Sequence, residues 1–444
     1  MLRVGLYTLG CKVSQYETEA ISEAFEKRGC IICPFSDKND IYVINTCTVT
    51  AESDRKSRQF IRRAIKENPD AVVAVVGCYS QRSPGEIMKI NGVDIVVGTD
   101  AKLSVVDKAV EMAEIRKNQS SCEPFLYVTD VFKADFEPMA ITKAPRTRAY
   151  VKIEDGCECR CTYCAISEAR GRVRSKARCD VLSEVKALFD SGIGEVVLTG
   201  IETGSYGRDF EEKYGLADLI AELDGLCPSG KIRLGSLSPE LIGEEFVEKV
   251  KNTKNLLPHF HLSIQSGSNK VLSSMKRRYT RERALDNIKR LKAAFPGANF
   301  TTDLMVGFPG ESEEDFLLTC DFVNQAEFLD AHVFAYSRRE RTPAASYPSQ
   351  IPEEVKKERS RRLISHKNEV RDSLLAKAVL LGEPVMAIAE SLDNLGRVNM
   401  HSDSFIEIKT AEKMPKKDFE LIQGKWLKVK PISHADGILY CEKL

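Results

Sequence analysis

The stretch GCECRCTYC, residues 156–164, is the most informative part of the sequence for the fold of the central part of the chain. It spaces Cys157, Cys161 and Cys164 in a C-x3-C-x2-C pattern, directly after an apolar segment that predicts a strand. Iron–sulfur clusters normally take four thiolates, so three on one short loop can hold a cubane and leave its fourth iron open. A zinc ion would need a fourth Cys or His nearby, and Cys159 is the candidate for that alternative. The spacing at the end of a strand favours the cluster.

Six strand–helix units around this stretch predict a central domain. The predicted strands are Ala149–Ile153, Glu195–Thr199, Lys231–Gly235, His259–Ile264, Asn299–Val306 and Ala331–Phe334. The predicted helices between them are Asp180–Ser191, Ala217–Leu226, Pro239–Asn252, Arg281–Ala294 and Glu313–Ala326. Such units predict a partial (βα)6 barrel. Right-handed crossovers place the loops that follow the strands on one common face.

The first part of the chain also alternates strands and helices, which predicts a second parallel sheet. The predicted strands are Val4–Leu9, Ile41–Asn45, Ala71–Val76 and Val93–Val97, and the predicted helices are Ser14–Lys27 and Ser53–Glu67. Cys11, Cys47 and Cys78 each follow one of these strands. Carboxyl ends of parallel strands share one edge, where ligands bind. We therefore expect the three thiols to converge on a second cluster or metal site, with chance placement as the alternative.

Changes in composition mark the domain boundaries. Residues from about Ser120 to Pro145 lack periodicity and hold several prolines, which predicts a connector. A charged helix is predicted at Pro352–Ala378, and residues from about Gly382 to Leu444 then alternate apolar and polar residues, as in a small β-barrel. The fold class is thus α/β. The predicted domains are 1–135, a parallel α/β sheet domain; 143–374, the partial barrel; and 378–444, the β-barrel.

Composition narrows the class of protein. The chain has 444 residues, 43% of them hydrophobic, with a formal net charge of zero at pH 7. Any nucleic-acid site must therefore be a local basic patch. No apolar run approaches the roughly 20 residues that span a bilayer, and the first residues do not resemble a signal peptide. We expect a cytoplasmic protein with no membrane segment.

Fourteen cysteines are unusual in such a chain. In a reducing compartment, clustered cysteines are more often metal ligands or catalytic groups than disulfides. Cys30 and Cys33 form an isolated C-x-x-C pair, for which a redox or metal role stays open. The cysteines outside any constellation are predicted to be small buried apolar residues; these are Cys30, Cys33, Cys122, Cys179, Cys227, Cys320 and Cys441.

The cysteine stretch and three later loops resemble the radical S-adenosylmethionine superfamily. The matching loops are residues 198–207 (LTGIETGSYG), 261–268 (HLSIQSGS) and 303–311 (DLMVGFPGE). The resemblance implies that the open iron binds S-adenosylmethionine and that reductive cleavage of this cofactor yields a 5′-deoxyadenosyl radical. It also implies cofactor contacts from particular residues, which are Tyr163, Gly200, Glu202, Gln265 and Asp303. No catalytic residue beyond the cluster ligands is predicted.

The first cysteine set narrows the resemblance to the methylthiotransferases. The segments LGCKVSQYETE, VINTCTVT and VVGCYSQRSP are most similar to the branch that modifies N6-threonylcarbamoyladenosine of tRNA, the MtaB type. The resemblance implies a second [4Fe–4S] cluster on Cys11, Cys47 and Cys78, whose open iron carries or delivers sulfur. It implies that a methylthio group is added at C2 of the adenine at tRNA position 37. The last 60 or so residues resemble the RNA-binding TRAM module.

Partners follow from the same resemblance and from local charge. The expected partners are the anticodon stem-loop of a tRNA and an electron donor such as flavodoxin or ferredoxin. Basic residues that can hold RNA phosphates lie on one predicted helix, after the cluster loop and in a later run. They are Arg55, Lys56, Arg58, Arg62, Arg63 and Lys66; Arg170, Arg172, Arg174, Lys176 and Arg178; and Lys276, Arg277, Arg278, Arg281 and Arg283. Lys425, Lys428 and Lys430 beside Trp426 add a stacking surface, although core packing explains the tryptophan equally well.

Several positions depart from the family pattern. Ser14 stands where Asn is usual, Cys159 replaces a common Asn, residues 167–168 (Ser-Glu) replace a Pro-aromatic pair, and Arg341 occupies a position that is usually glycine. None of them removes a cluster ligand. The alternatives that stay open are the same chemistry on isopentenyladenosine of tRNA or on a ribosomal protein, a non-catalytic iron–sulfur RNA-binding protein or electron carrier, and a zinc-stabilised RNA-binding module.

Overall fold

The computed structural model describes residues 1–118, 122–145, 147–226 and 230–444. Cys227 and the first residues of the predicted connector, from Ser120, lie outside these ranges. The chain divides into two compact units. Unit 1 comprises Met1–Ile141, Tyr150–Ala177 and Ser337–Ala345; unit 2 comprises Thr142–Ala149, Arg178–Tyr336 and Ser346–Leu444. No helix in the described ranges combines the length and the apolar character needed to cross a membrane.

Unit 1 is built on a sheet of six strands with helices on both faces. The strands are β1 (Arg3–Thr8), β2 (Ile31–Cys33), β3 (Ile41–Thr46), β4 (Val72–Gly77), β5 (Ile95–Val97) and β6 (Phe125–Tyr127). The helices are α1 (Lys12–Lys27), α2 (Ala51–Glu67), α3 (Cys78–Arg82), α4 (Pro84–Met88) and α5 (Ser104–Lys117). The strand order is β2–β1–β3–β4–β5–β6, and every pairing is parallel.

Buried apolar strands make this sheet. β3 and β4 are buried at every residue, and each fully buried valine stabilises the fold by about 1.5–3 kcal/mol. One face of the sheet packs against Ile21 and Phe25 of α1 and against α5, and the other packs against Ile61 of α2. The parallel sheet was predicted. The predicted connector contains one strand that was not predicted, β6, a three-residue edge strand too short to show periodicity.

The rest of unit 1 closes around the second cysteine stretch. β7 (Arg148–Lys152) leads into β8 (Glu154–Asp155), and α6 (Ile166–Arg170) leads into β9 (Arg174–Ser175). β8 and β9 pair antiparallel, with Asp155 opposite Arg174. Residues 156–173 therefore form a loop whose two ends are tied together.

The remaining barrel strands and their helices follow. They are β10 (Glu195–Thr199), β11 (Lys231–Leu234), β12 (Ser236–Leu237), β13 (His259–Gln265), β14 (Asn299–Val306) and β15 (Asp330–Ala335), with α7 (Arg178–Asp190), α8 (Leu216–Leu226), α9 (Glu244–Val250), α10 (Asn269–Ser274), α11 (Arg281–Ala294), α12 (Glu313–Ala326) and α13 (Glu353–Leu381). Two sheets result, in the orders β11–β10–β7 and β12–β13–β14–β15. The predicted helix Pro239–Asn252 is instead a 3₁₀ turn, Pro239–Leu241, followed by α9, because Gly243 caps α9 in extended backbone.

The C-terminal segment forms a closed barrel, as predicted. Its elements are β16 (Val385–Leu392), β17 (Arg397–Ser402), β18 (Glu407–Lys413), α14 (Lys416–Ile422), β19 (Trp426–Ala435) and β20 (Ile438–Lys443). The barrel order is β16–β17–β18–β20–β19. Its inner residues, among them Val398, Met400 and Leu439, are buried in one core with Leu375 of α13. The exact limits of the three predicted domains stay a prediction, since the division into compact units follows packing instead.

Candidate cluster sites and cofactor residues

The structure brings Cys11, Cys47 and Cys78 to one edge of the unit 1 sheet. Cys11 is the N-cap of α1, Cys47 directly follows β3, and Cys78 begins α3 after β4. β1, β3 and β4 are adjacent parallel strands, so these residues follow the same carboxyl edge. Gly10 has φ +121°, and a Cβ there would lie 3.1 Å from Cys47 Cβ and 3.4 Å from its Sγ. Glycine thus permits the close approach of the first two cysteine segments.

The thiols of this set differ in exposure. Cys11 is exposed, whereas Cys47 and Cys78 are buried. Burial, together with the neighbouring Cys78, raises the pKa of Cys47 to about 12. Burial also raises the pKa of Cys78, although the nearby Arg170 opposes that shift. A metal group bound here must displace these thiol protons, as metal binding to cysteine generally does.

A buried ion network lies behind Cys78. Arg170 donates from Nε to Cys78 Sγ at 3.1 Å and from Nη1 to Glu17 Oε1 at 2.6 Å. Its Nη1 also lies 3.1 Å from Asp155 Oδ2. Lys152 Nζ donates to the same two carboxylates at 3.2 Å each. Lys102 Nζ lies against Glu17 Oε2 in an ion pair whose geometry does not make a hydrogen bond.

Mutual compensation keeps this network charged. Burial opposes ionisation of Glu17, but Arg170, Lys102 and Lys152 outweigh it and hold the pKa of Glu17 well below its usual value. Burial likewise opposes ionisation of Asp155, and Arg170 and Lys152 lower its pKa to about 2. The same carboxylates raise the pKa of Arg170 despite its burial. Such groups are tolerated in the interior only as partners, so the network is a rigid support.

A second buried arginine supports the Cys47 segment. Arg339 donates from Nη2 to Thr48 Oγ1 at 2.8 Å and to Asp54 Oδ2 at 2.6 Å. Thr48 adjoins Cys47, and Asp54 lies in the first turn of α2. Residues 337–345, although late in sequence, therefore belong to the support of the first cysteine set.

The second cysteine set lies on the tied loop of unit 1. Cys157 N–H donates to Gly171 O at 3.1 Å, and Cys164 N–H donates to Cys161 O at 3.0 Å. Ile166 N–H lies 3.4 Å from Cys164 Sγ, a contact between a backbone donor and a sulfur. Gly156 has φ +88°, and a Cβ there would lie 1.8 Å from Arg172 O. Only glycine fits immediately before Cys157.

Neither set forms a compact one-ion site. In the described ranges, no group of three or more His, Cys, Asp or Glu side chains is close enough to hold a single metal ion. The ligands of one tetrahedral zinc lie about 2.3 Å from the metal and therefore roughly 4 Å apart. A four-iron cluster needs a wider arrangement, because each thiolate binds a different iron.

The predicted cofactor residues lie in both units. Tyr163 is on the cluster loop of unit 1 and is partly buried. In unit 2, Gly200 and Glu202 follow β10, and Glu202 Oε1 accepts from Ser238 N–H at 2.9 Å. Gln265 ends β13 after a bulge and has φ +67°. Its buried Oε1 has no hydrogen-bond partner among the described residues, so it is available to a ligand at the carboxyl end of the strand.

Asp303 lies in the middle of β14 and is already engaged. Its Oδ2 lies 3.2 Å from His261 Nε2, and its Oδ1 lies 3.5 Å from His332 Nδ1. Burial opposes ionisation of Asp303, but these two histidines outweigh it and hold its pKa well below the usual value. A nearby cavity of about 190 Å³ is lined by residues from the first halves of β13–β15, among them His261, Thr301 and His332.

The predicted phosphate-binding residues differ in exposure. Arg178 is exposed, and the partly buried members are Arg58, Arg172, Arg277 and Arg281. On α2, Arg55, Lys56, Arg62, Arg63 and Lys66 are exposed, as are Lys276, Arg278 and Arg283 and, in the barrel, Lys425, Lys428 and Lys430. The prediction was wrong for Arg170, Arg174 and Lys176, which are buried and bonded inside unit 1. Trp426 is partly buried, and its indole N–H donates to Gly194 O at 3.0 Å.

The buried acids that hold the basic residues were not predicted from the sequence. Glu17 lies on the apolar face of α1 between Val13 and Ala20, and all three are buried. A charge on the buried face of an amphipathic helix is the signal that identifies such a residue. Asp155, one residue before the Gly-Cys start of the cluster stretch, carried no comparable signal.

Two family matches cover the two cysteine sets. Residues 151–323 match the family described as the radical SAM superfamily, a range that includes Cys157, Cys161 and Cys164. Residues 3–98 match the uncharacterized protein family UPF0004, a range that includes the first set.

Relatives cover most of the chain. It is 45% identical over 368 residues to threonylcarbamoyladenosine tRNA methylthiotransferase MtaB of Bacillus subtilis, covering 82% of this chain and 80% of that protein. It is 33% identical over 374 residues to tRNA-2-methylthio-N(6)-dimethylallyladenosine synthase of Carboxydothermus hydrogenoformans, covering 82% of this chain and 83% of that protein. The radical S-adenosylmethionine methyltransferase TsrM of Kitasatospora setae shares the fold, with a TM-score of 0.58 at 17% identity over 78% of this chain and 77% of that one. The chain therefore belongs to the MtaB family of radical S-adenosylmethionine methylthiotransferases.

Proposed function

We propose that this protein adds a methylthio group to C2 of N6-threonylcarbamoyladenosine at position 37 of tRNA. The observation that carries the proposal is the presence of two three-cysteine sets in one compact unit, one at the carboxyl edge of a parallel sheet and one on a tied loop. The higher identity to the MtaB relative than to the dimethylallyladenosine synthase favours this substrate.

Membership in the family implies a [4Fe–4S] cluster and S-adenosylmethionine. We assign that cluster to Cys157, Cys161 and Cys164, and propose a second one on Cys11, Cys47 and Cys78. With both clusters bound, the cluster on Cys157, Cys161 and Cys164 supplies radical cleavage of S-adenosylmethionine. The cluster on Cys11, Cys47 and Cys78 supplies sulfur. The donor sets fit, because three assigned thiols in each leave one iron of a four-iron cluster open for a small ligand.

Protein groups in unit 2 are suited to hold the organic part of the cofactor. Gln265 Oε1 and Thr203 Oγ1 are buried and have no hydrogen-bond partner among the described residues. Leaving a buried polar atom unpaired costs about 1–3 kcal/mol, so a bound ligand that pairs with these atoms recovers stability. Gly200 and Glu202 belong to the loop that holds Thr203. We also propose Asp303 of unit 2, which His261 orients, and separately Tyr163 of unit 1 as cofactor residues.

The exposed basic residues are the proposed contacts for tRNA. The basic residues of α2 and the lysines of the C-terminal barrel attract phosphates electrostatically. This attraction weakens as the salt concentration rises. We propose the segments 1–135, 143–374 and 378–444 as sheet, barrel and TRAM-like domains. A cytoplasmic location and reduction by a flavodoxin or ferredoxin follow from the proposed tRNA chemistry.

Mass spectrometry of tRNA nucleosides tests the substrate. A strain that lacks the gene should lose 2-methylthio-N6-threonylcarbamoyladenosine and regain it when the gene is supplied. The unmethylthiolated nucleoside should accumulate in its place. Unchanged levels of the methylthiolated nucleoside would contradict the proposal, and loss of the isopentenyl derivative instead would assign the protein to the dimethylallyladenosine branch.

Metal and cofactor assays separate the enzyme from a non-catalytic iron–sulfur protein. Protein purified without oxygen should contain about eight irons, as two four-iron clusters require, and no zinc. The reduced protein should cleave S-adenosylmethionine to 5′-deoxyadenosine, and a Cys161→Ala variant should not. Full iron content without cleavage would indicate an electron carrier.

A further inference from the structure

Arg170 and the next residue, Gly171, are bonded to the two cysteine sets, one residue to each. Its Nε donates to Cys78 Sγ at 3.1 Å, and the carbonyl of the next residue, Gly171, accepts from Cys157 N–H at 3.1 Å. The Arg170 side chain is fully buried. A hydrogen-bond donor fixed against one ligand sulfur is therefore part of the same turn that anchors the other cysteine loop.

The other two nitrogens of Arg170 bind buried carboxylates. Nη1 and Nη2 bind Glu17 at 2.6 and 3.2 Å, and Nη1 also lies 3.1 Å from Asp155 Oδ2. A planar guanidinium held on two carboxylates has little rotational freedom. Its Nε–H is consequently aimed at Cys78 by the acids on the opposite side.

We propose that Arg170 sets the reduction potential of the cluster on Cys11, Cys47 and Cys78 through this N–H···S bond; the inference rests on the second cluster of the proposed function. Hydrogen bonds to cluster sulfurs and the local net charge are among the factors that set such potentials. Reduction adds one electron and therefore negative charge, which a donor at the sulfur stabilises. The electron comes from an external low-potential reductant, and no bond to Arg170 is made or broken.

Potentiometry on the isolated cluster tests the inference. The parent is the full chain with Cys157, Cys161 and Cys164 all replaced by Ala, which keeps only the first cysteine set. Its midpoint potential is measured by EPR during titration with dithionite. The test variant adds Arg170→Met with Glu17→Gln, which removes one cation and one anion together with the N–H···S bond.

A matched control isolates the hydrogen bond. Lys152→Met with Glu17→Gln removes the same anion and another buried cation. Lys152 binds carboxylates and lies over the Phe136 ring, and it makes no hydrogen bond to a cysteine sulfur among the described residues. We expect a more negative midpoint potential in the Arg170 variant than in the parent and the Lys152 control. Arg170→Lys keeps the charge, and we expect an intermediate value because one ammonium cannot serve both carboxylates and the sulfur.

Each remaining outcome is decisive. Equal potentials in the Arg170 and Lys152 variants would overturn the inference while leaving the second cluster intact. If the double variant at Arg170 does not retain iron, Arg170→Lys decides, and an unshifted potential there overturns the inference. An iron-free parent with wild-type Arg170 would instead refute the second cluster itself, and the inference with it.

Discussion

Arg341 Nη1 lies 3.1 Å from Glu168 Oε1, and these are two of the positions at which the sequence departs from the family pattern. Glu168 also accepts from Arg82 Nε at 2.8 Å, and Arg341 Nη2 donates to Arg82 O at 2.7 Å. The two departures thus compensate each other: the acid on α6 and the base in residues 337–345 jointly fix the end of α3, which begins at Cys78.

Arg341 adopts φ +65°, a backbone region that favours glycine. A residue other than glycine lowers the stability of the fold by about 1–2 kcal/mol in this backbone region. A half-exposed ion pair raises the stability by less than about 1 kcal/mol. Arg341→Gly also removes the hydrogen bond to Arg82 O, which contributes about 0.5–1.5 kcal/mol, so we expect it to unfold close to the temperature of the parent. Arg341→Ala loses the ion pair and keeps the strain, so it should unfold about 2 °C below Arg341→Gly. Equal midpoints for the Gly and Ala variants in thermal unfolding would contradict this account.

Gly156→Ala should disable the radical site selectively. An added Cβ would overlap Arg172 O, so the loop must move away from the position that presents Cys157. We expect about four of about eight irons to be lost, together with cleavage of S-adenosylmethionine. Gly85→Ala, where a Cβ meets nothing within 4 Å, is the control and should keep both. A fully loaded, active Gly156→Ala protein would show that the loop tolerates the shift.

Cys159 lies between two assigned ligands, and its role can be tested by substitution. Because three thiols already suit an open cluster, Cys159→Ser should retain about eight irons and normal cleavage of S-adenosylmethionine. Cys161→Ser should lose about half of the iron. The exposed Cys179 serves as a control for general effects of thiol loss. Iron loss in Cys159→Ser comparable to that in Cys161→Ser would make Cys159 a ligand.

The histidine next to Asp303 should show a raised pKa. A hydrogen bond to Asp303 raises the pKa of His332 above its ordinary value. The raised value means that the pair stabilises the fold below about pH 6.5, the ordinary histidine value, and that this contribution is lost as pH rises through the folded-state pKa. NMR titration of the six histidines, with His332→Gln for assignment, measures it. Asp303→Asn should lower the pKa of His332 to its ordinary value. An unchanged pKa of His332 in this variant would contradict its pairing with Asp303.

Much of the architecture was predictable because it follows from periodicity. Strands such as Glu195–Thr199 and helices such as Arg281–Ala294 were predicted with the bounds they have. The convergence of Cys11, Cys47 and Cys78 followed from the rule that parallel strands end at one edge. The burial of Arg170 could not be predicted from the local sequence, because its partner Glu17 is 153 residues away. A run of arginines gives no sign of which members face an acid and which face water.

Unit 1 is assembled from three separate parts of the chain, and this has a consequence for biosynthesis. Residues 1–141 leave the ribosome first, but Arg339, which holds Thr48 beside Cys47, is 291 residues later than its partner. Contacts of such separation form late, and synthesis at about 5–20 residues per second delays them further. For tens of seconds at those rates, the nascent chain presents cysteines whose support is incomplete. For the proposed cluster on Cys11, Cys47 and Cys78, this order predicts that iron and sulfide are delivered most efficiently to completed chains. We expect a chain truncated before residue 339 to bind less iron at these cysteines.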